Sequence, residues 1–185
     1  MSKLQEEEIK PSSKKYIVSK TDSKGIIEYG NEYFVEVSGY REAELVGSPH
    51  SILRHPDMPK VIFKFMWERI SQGNNIVAVV KNKAKDGRFY WVLTEFEPKL
   101  EPITGEVISH TAYRRAAPQH AIDAVQKVYA KLLEIEQASG MEASEKYFKG
   151  FLESQQKTYD TFIANIIGES KLMRLFFTAM KKVFA

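Results

Sequence analysis

The apolar residues of this chain follow two spacings, one extended and one helical, and the switches between them mark out its elements. Tyr16 to Asp22 and Gly25 to Tyr29 are short extended runs around Ser23, Lys24 and Gly25, where the glycine admits the positive φ that a tight hairpin demands. Asn31 is placed to cap a short helix through Tyr33, Phe34 and Val37 that Gly39 ends, and Arg41 to Leu45 begins another that Gly47 closes. Asp57, Met58 and Pro59 read as a helix start with an acidic cap and an early proline. Val61, Ile62, Phe65, Met66 and Ile70 then repeat at helical spacing as far as Gln72. Extended patterns return from Ile76 to Asn82, from Phe89 to Phe96 after the Asp86–Gly87 turn, and from Val107 to Tyr113.

This order predicts the α+β class, a five-stranded antiparallel sheet with helices on one face and a cavity between the layers. Ala116, Ala117 and Pro118 make a break, after which the pattern is helical. The expected organisation is a polar tail over 1–15, a domain over 16–115 and a helical extension over 116–185. Within the extension, Ile122, Val125, Tyr129 and Leu132 define one helix, and Phe148, Leu152, Tyr159, Phe162, Ile163 and Ile166 a second that should pair with it as a hairpin. In the last segment, 169–185, Leu172, Leu175, Phe176, Ala179 and Val183 form a stripe bordered by Lys171, Arg174, Lys181 and Lys182. That segment reads either as a third packing helix or as a contact for a partner's signalling helices, with peripheral contact to an acidic membrane surface ranked behind.

At 185 residues the chain holds one ordinary domain and an appendage, which excludes a multidomain enzyme. Its 27 basic and 24 acidic residues leave +3, far from the dense positive surface of a nucleic-acid binder. The absence of cysteine removes disulfides, thiolate catalysis and iron–sulfur ligation together. The polar first residues lack the apolar core of a signal peptide and no stretch approaches the roughly 20 apolar residues of a membrane span, so a cytoplasmic protein is expected. His50, His55, His110 and His120 lack the pairing of a catalytic zinc site. No phosphate loop, GxGxxG or GxSxG occurs, and the chain does not read as an enzyme.

Chemistry concentrates in SPHSILRHPDMP, Ser48 to Pro59, where Arg54, His55 and Asp57 crowd a helix entrance. The plain account is a capped helix with a solvated arginine, the cap contributing about 1 kcal/mol. Asn82 shares a strand face with Ile76, Ala78 and Val80, so its amide either ties down a loop or addresses a ligand. Trp67 and Trp91 are core residues by default and stacking platforms for a cofactor by the sharper reading.

NEYFVEVSGY (Asn31 to Tyr40), SPHSILRHPDMP, MWERISQG (Met66 to Gly73) and VKNKAKDGRFYWV (Val80 to Val92) together resemble the PAS sensor domain of the aerotaxis receptor family, over about Tyr16 to Arg115. The resemblance implies non-covalently held FAD whose redox state is reported to the chemotaxis machinery. It places Arg54, His55 and Asp57 among residues needed for flavin binding, Trp67 and Asn82 near the ring, and Asn31 at the pocket. A guanidinium suits the diphosphate and an amide the ring heteroatoms. Where the family usually has a tryptophan in the strand after the helix, this chain has Ile76. With no span in view, it is most similar to the stand-alone PAS partner of bipartite energy-taxis systems, whose membrane chemoreceptor carries a HAMP or signalling domain; a homodimer through the PAS domain or tail is a further expectation. Cysteine photoadduct chemistry is impossible here. The alternatives are a haem b gas sensor ligated through His50 or His55, and a cofactor-free interaction module.

Overall fold

The computed structural model describes residues 7–168. The order of elements is β1 (Ile17–Asp22), β2 (Ile27–Gly30), α1 (Glu32–Ser38), α2 (Glu42–Leu45), a 3-10 turn over His50–Leu53, α3 (Lys60–Ser71), β3 (Ile76–Lys83), β4 (Phe89–Leu100) and β5 (Val107–Ala116). Three further helices follow, α4 (Gln119–Ser139), α5 (Met141–Ser154) and α6 (Tyr159–Ile167). The five strands form one antiparallel sheet in the order β2-β1-β5-β4-β3, as the sequence pattern predicts. The first hairpin and the last strand therefore meet at the centre. Side chains two apart along β1, β3 and β5 (Ser19 and Thr21, Val80 and Asn82, Ala112 and Arg114) turn to the same side and face α3 across a cavity.

Local side chains cap α1 and α6, whereas α3, α4 and α5 begin without one. Asn31 caps α1 as expected, its Oδ1 accepting from Phe34 N at 3.0 Å and from Val18 N at 3.1 Å, while Nδ2 donates to the Tyr16 carbonyl at 2.9 Å. Asp57, the expected cap of α3, does not serve. Its carboxylate is drawn instead to Lys81 Nζ at 2.7 Å, and α3 begins at Lys60 behind Pro59, which offers no side-chain cap. The free first-turn N–H groups are satisfied from far along the chain. Lys60 N and Val61 N donate to the two carboxylate oxygens of Glu136 on α4, at 2.9 and 2.8 Å.

The helical extension contains three helices among the described residues rather than the expected two. The second breaks at Ser154 because Gln156 adopts a left-handed φ of 55°. Thr158 then opens α6 with a reciprocal cap, Thr161 N donating to Thr158 Oγ1 and Thr158 N to Thr161 Oγ1. Val125, Tyr129 and Leu132 of α4 are buried with Phe148, Leu152, Phe162 and Ile163 in a core continuous with that of the sheet. These helices reach the free edge of β3, where the Tyr129 and Tyr159 hydroxyls donate to the Val79 and Val77 carbonyls at 2.9 and 3.1 Å. They also hold the side of α3 away from the cavity. Phe65 meets Phe148 edge-on at 5.4 Å, Arg69 pairs with Asp160 at 2.8 Å, and Lys64 pairs with Glu145. The basic-bordered stripe expected over 172–183 lies outside the described residues.

Candidate functional site

Between the sheet and α3 lies a cavity of about 410 Å³, within the range of small-molecule sites. Its apolar walls come from Met66 and Ile70 of α3, Val80 of β3, Phe96 of β4 and Ala112 of β5. Lys24 and Trp67 are exposed and mark its mouth. The Trp67 ring lies over Gly25, where a Cβ would come within 2.9 Å of it; with a φ of +84° there as well, only glycine serves. The indole meets the His110 ring edge-on at 5.5 Å.

Three of the residues singled out from sequence line this cavity together: Arg54, Trp67 and Asn82. Arg54 forms an isolated antiparallel bridge with Asn82, and its guanidinium stacks 4.3 Å from the centre of the Phe63 ring. Partial burial lowers the Arg54 pKa, and the charge of Glu136 acts against that shift. Asn82 is buried and stands opposite Tyr90 in the ladder.

The other four sit elsewhere. Asn31 is spent on the α1 cap and on the β1 backbone. His55 is buried beside Phe89, ring centres 5.8 Å apart, with Nδ1 accepting from Asp57 N at 3.1 Å. Asp57 exposes 61% of its side chain and binds Lys81. Trp91 follows Tyr90 on β4 and, by the two-residue alternation of a strand, stands on the face opposite Phe96.

Sequence reasoning overlooked the largest buried polar side chain of the wall. Arg114 is 2% exposed; Nη1 donates to Ser19 Oγ at 2.9 Å and Nη2 to His50 Nε2 at 2.8 Å. Because a guanidinium only donates, the imidazole proton sits on Nδ1. Burial first, and then the Arg114 charge, push His50 down to about 3, so it is neutral at physiological pH. Burial lowers Arg114 itself to about 10, leaving it charged. Its signal in the sequence was the alternation His110, Ala112, Arg114, which a strand ended at Tyr113 cuts short.

The family profile of the PAS fold matches residues 27–109, the span from β2 into β5. Residues 27–109 have the PAS fold. Around them, the chain is 38% identical over 116 residues to the aerotaxis receptor of Escherichia coli strain K12, covering 63% of this chain and 22% of that protein. A nitrogen fixation regulatory protein of Klebsiella pneumoniae is 31% identical over 98 residues, covering 53% and 20%. The chain thus spans about a fifth of the length of these curated relatives. Among solved structures, a light-oxygen-voltage domain studied with a flavin analogue superposes with a TM-score of 0.53 at 18% identity, covering 60% of this chain and 83% of that one. The PAS domain here has the same fold, and its cavity lies on the helical side of the sheet.

Proposed function

We propose that the protein is a cytoplasmic redox sensor for energy taxis that holds FAD in the cavity of its PAS domain and passes the flavin's redox state to a membrane chemoreceptor with a HAMP or signalling domain. The observation that carries this reading is the convergence of Arg54, Trp67 and Asn82 on one cavity, in a chain related to an aerotaxis receptor. The lining suits the group. Met66, Ile70, Val80 and Phe96 offer a water-excluding slot for a flat ring, Asn82 an amide for its heteroatoms, and Arg54 with Lys24 positive charge for a diphosphate at the mouth. A bound flavin would supply reversible electron uptake. The protein's own part is to bind it, keep water from it and respond to its charge.

That response has a route. Arg54 faces the cavity and feels the charge of Glu136, and Glu136 holds the first turn of α3, whose Phe63, Met66, Trp67 and Ile70 line the cavity. A change in the charge facing Arg54 alters its pull on Glu136, and with it the seat of α3 on the tail helices. The reading assigns 16–115 to sensing and 116–185 to receptor docking. Haem fits less well, because His50 Nε2 is occupied by Arg114 and His55 does not line the cavity.

The deciding experiment is the visible spectrum of freshly purified protein, followed by denaturation and identification of what is released. Flavin bands that bleach on reduction, with free FAD, are expected. A haem Soret band would move the function to gas sensing, and a blank spectrum that persists after FAD addition would leave a cofactor-free interaction module.

A further inference from the structure

Arg114 carries the cavity's uncompensated charge. Its hydrogen-bond partners are a serine hydroxyl and a neutral imidazole; the rings of Phe34 and Phe96 are centred 5.9 and 5.8 Å from the guanidinium carbon, and the buried Tyr90 phenol, its pKa raised by burial, interacts with it electrostatically. Among the described residues, no carboxylate pairs with it. The other buried cation of the sheet, Lys81, is paired with Asp57 at 2.7 Å. Directly across the β4–β5 ladder from Arg114 stands Thr94, whose buried hydroxyl has no hydrogen-bond partner among the described residues. Burying a guanidinium without a counter-charge is costly, and charged groups perturbed by burial in a cleft cluster at functional sites. On the flavin reading, Arg54 and Lys24 would face the diphosphate at the mouth, which leaves the wall charge for a different part of the ligand.

We propose that Arg114 receives the electron-rich edge of the cavity's ligand, an edge that bears or acquires negative charge, and supplies its counter-charge. The inference rests on the cavity being the ligand site and deepens that reading. Ser19 and His50 act as positioning residues: by accepting from Nη1 and Nη2 they fix the plane of the guanidinium and leave its remaining N–H groups for the ligand. His50 serves in this way only while neutral.

The test compares wild type with Arg114→Gln and Arg114→Lys, with Arg114→Met as a second neutral replacement should the glutamine variant not fold. Three readouts are taken: melting of the ligand-free protein, FAD affinity by fluorescence titration, and the midpoint potential of bound FAD in a dithionite titration. The expected result is opposite signs. The neutral variant melts at or above the wild-type temperature when ligand-free, yet binds FAD at least about tenfold more weakly, the scale of one hydrogen bond to a charged group. The midpoint potential moves negative, and Arg114→Lys keeps part of both affinity and potential. A neutral variant that melts lower, with affinity and potential unchanged, would overturn the proposal and make Arg114 a structural strut. If wild type takes up no FAD, the flavin reading fails, and ligand-free melting still decides for Arg114: a stabilised neutral variant supports the anion-receiving role and a destabilised one overturns it.

Discussion

The two sides of α3 are built differently. Toward the cavity it presents Met66 and Ile70 as wall, with Phe63 under the Arg54 guanidinium and Trp67 against His110 at the rim; toward the extension it presents Lys64, Phe65 and Arg69 to partners that meet each of them. One side is shaped to be filled and the other is already filled. A helix so mounted keeps its position through the extension and is biased from the cavity, so displacement is read most directly at Glu136, Glu145 and Asp160. Coupling of this kind needs only two packings of one element with different affinity for the ligand.

Emptying each side in turn should expose the asymmetry. The largest effect is expected from Phe148→Ala, which removes a fully buried ring touching Phe65, Phe151, Tyr159 and Phe162, and should cost about 3–5 kcal/mol in chemical denaturation. Met66→Ala, on the cavity side, enlarges space that already exists and should cost about 2 kcal/mol, the low end for such a change. Equal losses would break the comparison. Next in size is Glu136→Gln, which weakens the cap on α3 and should cost about 1–2 kcal/mol, with faster hydrogen exchange at the Lys60 and Val61 amides and not in α5.

The pH dependence sharpens the cavity side. The folded pKa of His50 lies at about 3, below the ordinary 6.5, so the unfolded chain binds a proton that the folded chain refuses. Its contribution to stability is complete above pH 6.5 and is lost as pH falls toward 3. His110, also lowered by burial, adds to the same slope. Melting temperature should therefore fall over this window, and His50→Asn should flatten the fall in part; an unchanged slope would show that His50 is not kept neutral. The smallest effect is expected from Asp160→Asn, which breaks an exposed pair with Arg69. It should cost under about 1 kcal/mol and nothing measurable in high salt.

Much of the fold was legible because its signals are local. The Gly25 turn, the Asn31 cap, the Asp86–Gly87 turn and the alternation of β3 each report on residues a few positions apart. The cap of α3 was not legible, because Glu136 lies 76 residues from Lys60, and a proline entrance reads the same whether or not a distant carboxylate closes it. The break at Gln156 was hidden for another reason: the apolar spacing of Leu152, Tyr159 and Phe162 continues across it. At the site, periodicity placed Asn82 on the cavity-facing side of its strand, and the PAS resemblance drew attention to Arg54 and Trp67. His55 and Asp57 share the motif of Arg54, yet the turn at Pro56 sends the three side chains in different directions, which residue types alone do not reveal. Arg114 escaped because a charged residue at a strand end is ordinarily solvated, and only the sheet register, which sets it between Ile17 and Thr94, and its bond to Ser19 show it turned inward.

The two tyrosine hydroxyls on β3 have a consequence for how the PAS portion behaves in isolation. β3 is the last strand of its sheet, and a margin with bare carbonyls is a template on which another strand can add. Tyr129 and Tyr159 close that template. A fragment ending at Ala116 would lose both lids at once, and its copies should join margin to margin into assemblies that grow with concentration. Dimers seen with such a fragment would then be products of the truncation.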